Sequence, residues 1–269
     1  MTAELAVDRL HKTFTLRTGR RRTPLHAVRD VSFELTKGRT VALVGQSGSG
    51  KSTVARMIAR LEEPTSGEIR LDGVPAGRRG RALARYRHDV QMVFQDPFAS
   101  LNPFHSVAHH LARPLLLHHR LDAAQLRDRV AELLERVNLP ADFAGRKPHE
   151  LSGGQRQRVA IARALAPGPR VLIADEPVSM LDVSIRLGIL NLLARLQREE
   201  DLAILYITHD LATARHFSEE IMVMYQGEIV ERGPADDVIL RPRAEFTKRL
   251  AAAAPDPTRN PRLAEHRPA

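Results

Sequence analysis

Residues Gly45-Gln46-Ser47-Gly48-Ser49-Gly50-Lys51-Ser52 fit the spacing G-x-x-x-x-G-K-[ST] of a phosphate-binding loop. Glycines at 45, 48 and 50 let the backbone turn tightly, so that its N–H groups and the N-terminus of the following helix point at phosphate oxygens. In such a loop Lys51 neutralises the β- and γ-phosphates, the Ser52 hydroxyl ligates Mg²⁺, and Thr53 follows in the first helical turn. A second segment, Val171-Leu172-Ile173-Ala174, is apolar and ends in two carboxylates, Asp175 and Glu176. If that run is a parallel strand, both acids fall at the C-terminal edge of the sheet, where α/β proteins bind ligands. Asp175 is then expected to hold Mg²⁺ through water and Glu176 to polarise an attacking water. Together the two segments predict hydrolysis of a nucleoside triphosphate with Mg²⁺.

Strand, glycine loop and helix must follow one another for this to work, and the sequence predicts that order. Thr40–Val44 is a continuous apolar run stopping at glycine, and Lys51–Leu61 has helical spacing. Short strands are predicted at Leu5–Leu10, Lys12–Leu16 and Ala27–Leu35, with a solvated basic loop around Thr18–Thr23. Further buried strands are predicted at Val90–Phe94, Arg170–Ala174, Ala203–Ile207 and Ile221–Met224. From about Pro97 to Ala166 the pattern is mostly helical. Apolar residues at Leu126, Val130, Leu133, Leu134 and Val137 mark one face of a helix whose N-cap is Asp122, with Gln125 three residues on. The reading is an α/β core with a helical insertion, one domain over residues 1–254, and a flexible tail over 255–269 rich in proline and charge.

Composition narrows the function classes. At 269 residues, with 43% hydrophobic and 27% charged residues, the chain has the make-up of a globular protein. No apolar run approaches the ~18 residues needed to span a bilayer, and the N-terminus lacks the pattern of a signal peptide. A cytoplasmic protein is expected. With no cysteine there is no disulfide framework, thiolate zinc site or iron–sulfur cluster. The net charge of +9 would suit nucleic acid or lipid headgroups, but it is spread along the chain and reads as a solvated surface. The pairs His109-His110 and His118-His119 lack acidic partners at ligand spacing and read as solvated helix residues.

Leu151-Ser152-Gly153-Gly154-Gln155, read with the phosphate loop before it and Asp175-Glu176 after it, resembles the ATP-binding cassette of ABC transporters over roughly Leu5 to Ala254. The resemblance implies a P-loop NTPase core with an antiparallel β subdomain and a helical insertion. It also implies that Ser152 to Gln155 cover the γ-phosphate held by a second cassette, giving two composite sites per dimer. Gln95 resembles the glutamine that senses Mg²⁺ and links core to insertion, and His209 the histidine that contacts the γ-phosphate. Ser179-Met180-Leu181-Asp182 resembles the D-loop, with Met180 where alanine is more usual. Phe14 stands where the family often has an adenine-stacking Tyr, and a buried strand aromatic is the competing reading.

Gln95-Asp96-Pro97, Ser100-Leu101-Asn102-Pro103, Pro148-His149-Glu150 and Asp182-Val183-Ser184-Ile185 are similar to cassettes of the oligopeptide, dipeptide and nickel importer group. The C-terminal stretch from Glu231-Arg232-Gly233 to Thr247 is only partly similar, with Ala244-Glu245-Phe246-Thr247 replacing the usual His-Pro-Tyr-Thr. This implies two permease subunits as partners, a second cassette, an extracytoplasmic solute-binding protein acting indirectly, and a place on the cytoplasmic face of the membrane. The alternative is a soluble ABC ATPase acting on nucleic acid. Only 100 positions separate Lys51 from Leu151, with no room for a long coiled coil, so no nucleic acid partner is expected.

Overall fold

The computed structural model describes residues 4–19 and 21–253. The predicted flexible tail lies outside the described residues. Its central layer is a six-stranded sheet containing β3 (Thr40–Val44), β6 (Val90–Val93), β7 (Val171–Asp175), β8 (Ala203–Thr208), β9 (Glu220–Tyr225) and β10 (Glu228–Pro234), in the order β10-β9-β3-β8-β7-β6. All neighbours run parallel except β10, which folds back antiparallel on β9. β3, β7 and β8 are buried along their whole length, which explains their unbroken apolar runs. Side-chain alternation splits them between two cores: Ala42, Leu172, Ala174, Ile204 and Tyr206 face one, while Leu43, Val171, Ile173, Leu205 and Ile207 face the other. Each fully buried Leu or Ile there contributes roughly 1.5–3 kcal/mol relative to exposure.

The second core lies under a four-stranded antiparallel sheet, ordered β2-β1-β4-β5, built from β1 (Leu5–Thr18), β2 (Arg21–Leu35), β4 (Ser66–Leu71) and β5 (Val74–Pro75). Here the structure corrects the sequence reading. The two short strands predicted over Leu5–Leu16 are one, bent where the register with β2 shifts between Val7 and Thr13. The basic segment predicted as a loop is instead the end of a long hairpin, in which Arg17 pairs with Arg22 and Thr18 with Arg21. β2 is an edge strand, so it tolerates Pro24 and a run of exposed polar residues that carries no alternating signal.

Between β6 and β7 the chain runs through α3 (Pro97–Ser100), α4 (Val107–His118), α5 (Ala123–Arg136) and α6 (Gly153–Leu165). α5 starts as its sequence predicts: Asp122 Oδ1 accepts from the N–H groups of Ala124 and Gln125, both at 2.9 Å, and Gln125 Oε1 accepts from Asp122 N at 3.0 Å. Val130, Leu133 and Leu134 are its buried face. His110 corrects its prediction. It is buried against Asn102 O at 3.0 Å, and that burial pushes its imidazole pKa down. Four more helices complete the core: α1 (Lys51–Ile58), α2 (Gly80–Asp89), α7 (Val183–Glu199) and α8 (Leu211–Phe217). After β10 come α9 (Ala235–Leu240) and α10 (Glu245–Ala253).

Candidate functional site

The phosphate loop leaves the buried end of β3 and enters α1 through Gly50, whose φ of 110° only glycine adopts without strain. A Cβ on Gly50 would lie 2.4 Å from Ala27 O, and one on Gly45 would lie 2.3 Å from Met224 O. These glycines therefore keep the loop pressed against its neighbours. Lys51 Nζ folds back over the loop, donating to Gly45 O at 2.7 Å and Gln46 O at 2.9 Å. Burial pushes the Lys51 pKa down, and the charges of Glu176 and Asp175 oppose that shift. Among the described residues the buried Ser49 hydroxyl has no hydrogen-bond partner.

Asp175 closes β7 and sits behind α1, where the Ser52 hydroxyl donates to its Oδ1 at 3.2 Å. Burial pushes the Asp175 carboxyl pKa up, and the Ser52 hydrogen bond works against it. A hydroxyl and a carboxylate side by side form a hard oxygen donor pair that suits Mg²⁺. Glu176 follows with a φ of 45°, a left-handed conformation that is costly for a residue with a Cβ. Its N–H donates to Ile207 O at 2.9 Å, which pins the turn to β8. The carboxylate is thereby aimed at two partners: Oε2 accepts from Gln95 Nε2 at 3.1 Å, and Oε1 lies 3.3 Å from His209 Nδ1.

Most of these groups line one cleft of 1110 Å³. Phe14, Gln46, Ser47, Gly48, Gly50, Lys51, Ser52, Thr53, Gln95, Glu176 and His209 all border it, so most of the sequence-predicted residues converge. Gly45, Ser49 and Asp175 do not border it, and they support it from behind through the contacts above. Sequence reasoning missed Leu25, His26, Ala27 and Arg29 of β2, Gln226 and Gly227 in the β9–β10 turn, and Leu250 of α10. The hairpin register supplies the signal that was lacking, because Phe14 pairs directly with Leu25 and Thr13 with His26. The turn is tied in by backbone bonds: Gly227 N donates to Ser49 O at 3.0 Å, and Arg29 N donates to Gly227 O at 2.8 Å.

Ser152, Gly153, Gly154, Gln155 and Asp182 stand apart, and none of them lines the cleft of their own chain. Ser152 caps α6, accepting from Gln155 N at 3.3 Å while Gln155 Oε1 accepts from Ser152 N at 2.9 Å. A Cβ on Gly154 would meet Ile185 Cγ2 at 2.6 Å, so this glycine lets α7 pack against the start of α6. Asp182 is the exposed N-cap of α7 and makes no side-chain capping bond. The N-terminus of α6, with Ser152 exposed and Gly153 and Gln155 half-buried, thus lies outside the cleft lined by its own phosphate loop. Two arginines tie α6 to the segment after Gln95: Arg163 Nη1 donates to Ser100 O at 2.5 Å, and the Arg156 guanidinium lies 4.0 Å from the centre of the Phe98 ring.

A family model described as ABC transporter matches residues 28–179. The chain is 48% identical over 264 residues to the glutathione import ATP-binding protein GsiA of Pectobacterium atrosepticum, covering 96% of this chain and 42% of that protein. It is also 48% identical over 259 residues to the protein of the same name from Escherichia coli, covering 93% and 41%. The chain therefore spans about two fifths of the length of these curated relatives. Among solved structures it is similar to the dimeric ATP-binding cassette MJ0796 in a post-hydrolysis state bound to ADP and Pi, with a TM-score of 0.76, 33% identity, and 86% and 98% of the two chains covered. It is also similar to CbiO1 of Clostridium perfringens, part of the transporter complex CbiONQ, with a TM-score of 0.78, 28% identity and 97% of each chain covered.

Proposed function

Because the chain belongs to the ABC transporter family, we propose that it is the ATP-hydrolysing, nucleotide-binding subunit of an importer, energising uptake of peptides or a related solute through partner permease subunits. Oligopeptides, dipeptides, nickel and oligosaccharides are the solute classes in view. The glutathione import named for the relatives favours a small peptide among them. The observation that carries the proposal is the position of Glu176. It is held by Ile207, Gln95 and His209 at the mouth of a cleft whose floor is Lys51 and Ser52, while Ser152–Gln155 lie outside that cleft.

In this reading the loop N–H groups and Lys51 bind the β- and γ-phosphates of ATP, and Phe14 and Leu25 face the base. Ser52 and Asp175 would hold Mg²⁺, which supplies charge neutralisation across the phosphate oxygens. Glu176 orients a water and takes up its proton as the water oxygen bonds to the γ-phosphorus. The bond to the bridging oxygen breaks, leaving ADP and inorganic phosphate. Gln95 and His209 fix the direction of the carboxylate. Ser152–Gln155 of a second cassette, identical or paralogous, complete the γ-phosphate shell. Loss of that phosphate releases both subunits. Arg163 and Arg156 would carry the resulting motion from Gln95 into the helical insertion. Phe104 and Leu117, 83% and 78% exposed on that insertion, support contact with a permease there and a place on the cytoplasmic face of the membrane. No helix among the described residues is long and apolar enough to cross a membrane.

Light scattering tests the composite site. Glu176→Gln with ATP and Mg²⁺, alone or with its partner cassette, should be dimeric, and with ADP monomeric. Adding Ser152→Arg should return the ATP sample to monomer. A double variant that still dimerises with ATP would refute the shared site.

A further inference from the structure

Away from the nucleotide cleft, the β4–β5 turn and α2 enclose a groove of 390 Å³ lined by Leu71, Val74, Pro75, Ala82 and Tyr86, with Arg81 and Arg85 on its wall. Five arginines, at 78, 79, 81, 85 and 87, stand between Ala76 and Asp89 with no lysine, so the positive charge that looked diffuse in the whole sequence is locally dense. All five are exposed. Arg87 is engaged with Arg60 O at 2.7 Å. Two acids also border the groove, Asp72 at 3.5 Å from Arg170, which lines it as well, and Asp89 at 2.8 Å from His88. Arg78, Arg79, Arg81 and Arg85 are left without an acidic partner among the described residues.

We propose that this groove docks an acidic, partly apolar stretch of a partner polypeptide. Charge complementarity selects an anionic partner, and planar guanidinium groups match carboxylates in paired hydrogen bonds better than ammonium groups do. The apolar floor selects side chains as well as charge. Val74, 66% exposed on the edge strand of its sheet, offers the contact for one of them. Stacking on single-stranded bases is disfavoured because the one aromatic ring in the groove, Tyr86, is buried with its hydroxyl donating to Ile58 O at 2.7 Å. A lipid surface is disfavoured because the site is concave, whereas headgroups present a plane.

The test measures fluorescence anisotropy of labelled probes with the full 269-residue chain. The probes are a short peptide alternating glutamate and leucine, a glutamate-only peptide and an oligothymidine, with phosphatidylglycerol vesicles assayed by flotation. The alternating peptide should bind about tenfold tighter than the other two soluble probes. Arg81→Glu with Arg85→Glu should weaken it about tenfold or more, and Val74→Asp should weaken it as well, with ATP turnover unchanged in both. Equal binding by wild type and the double variant would overturn the proposal. So would absence of peptide binding, or tighter, arginine-dependent binding of the oligothymidine or the vesicles.

Discussion

Gln95 donates its side-chain N–H to Oε2 of Glu176 at 3.1 Å, joining residues 81 positions apart. Gln95 lies just beyond β6, at the entrance to the helical insertion, so any shift of that segment turns the carboxylate as well. Orientation of the Glu176 carboxylate, the proposed general base, is therefore tied to the position of a neighbouring subdomain rather than fixed by Glu176 alone.

Glu176→Gln keeps the side chain's size and removes its charge, so it should slow single-turnover hydrolysis by about 10²–10⁴ while leaving equilibrium ATP binding within about twofold. Gln95→Ala keeps the base and loses its guide, so it should cost only about tenfold. Rapid-quench measurements separate the two. A wild-type rate for Glu176→Gln would remove it from the catalytic role.

Lys51→Ala deletes the buried cation that lies over the phosphate loop. ATP affinity measured by titration calorimetry should fall by about 10- to 100-fold, corresponding to the roughly 1.5–3 kcal/mol of hydrogen bonds to charged groups. Unchanged affinity would sink the assignment of the loop.

Asp175 supplies a pH signature. Its folded-state carboxyl pKa is raised above the ordinary 3.8 by burial, so the folded protein holds the proton more tightly than the unfolded chain does. The stabilisation this gives is full below about pH 3.8 and is lost as pH rises through the folded value. Asp175→Asn, assayed without nucleotide or Mg²⁺, should therefore melt above wild type at about pH 7–8, with the gap closing as pH falls toward about 4. A gap that widens in acid would contradict the sign.

Gly50 and Gly48 give a paired test of the loop. Gly50→Ala places a Cβ 2.4 Å from Ala27 O at a φ of 110°, so hairpin or loop must move. Strain of at least about 1–3 kcal/mol is expected, with loss of nucleotide binding. Gly48→Ala at φ 79° meets nothing within 4 Å and should cost only about 1 kcal/mol. Urea midpoints compare them, and equal midpoints would show that contact with β2 is not what requires Gly50.

The groups proposed to carry the chemistry can be picked out in the chain because each depends on local order. A buried parallel strand is unbroken and apolar, the glycine spacing dictates the loop, and Asp175-Glu176 and Ser152–Gln155 mark where a strand ends and a helix begins. The same holds for the capping box at Asp122, which spans only three residues. What local order cannot state is register and packing across distance. Leu25 and His26 reach the cleft only because the long hairpin pairs them with Phe14 and Thr13, and Leu250 only because α10 returns to it. His110 looked like surface until Asn102 folded over it. The run of arginines between Ala76 and Asp89 is local sequence, but the apolar groove beside it, and the pairing of Asp72 with Arg170, depend on contacts between distant residues. Short-range periodicity fixed the parts, and long-range contacts between strands and helices decided which side chains share a space.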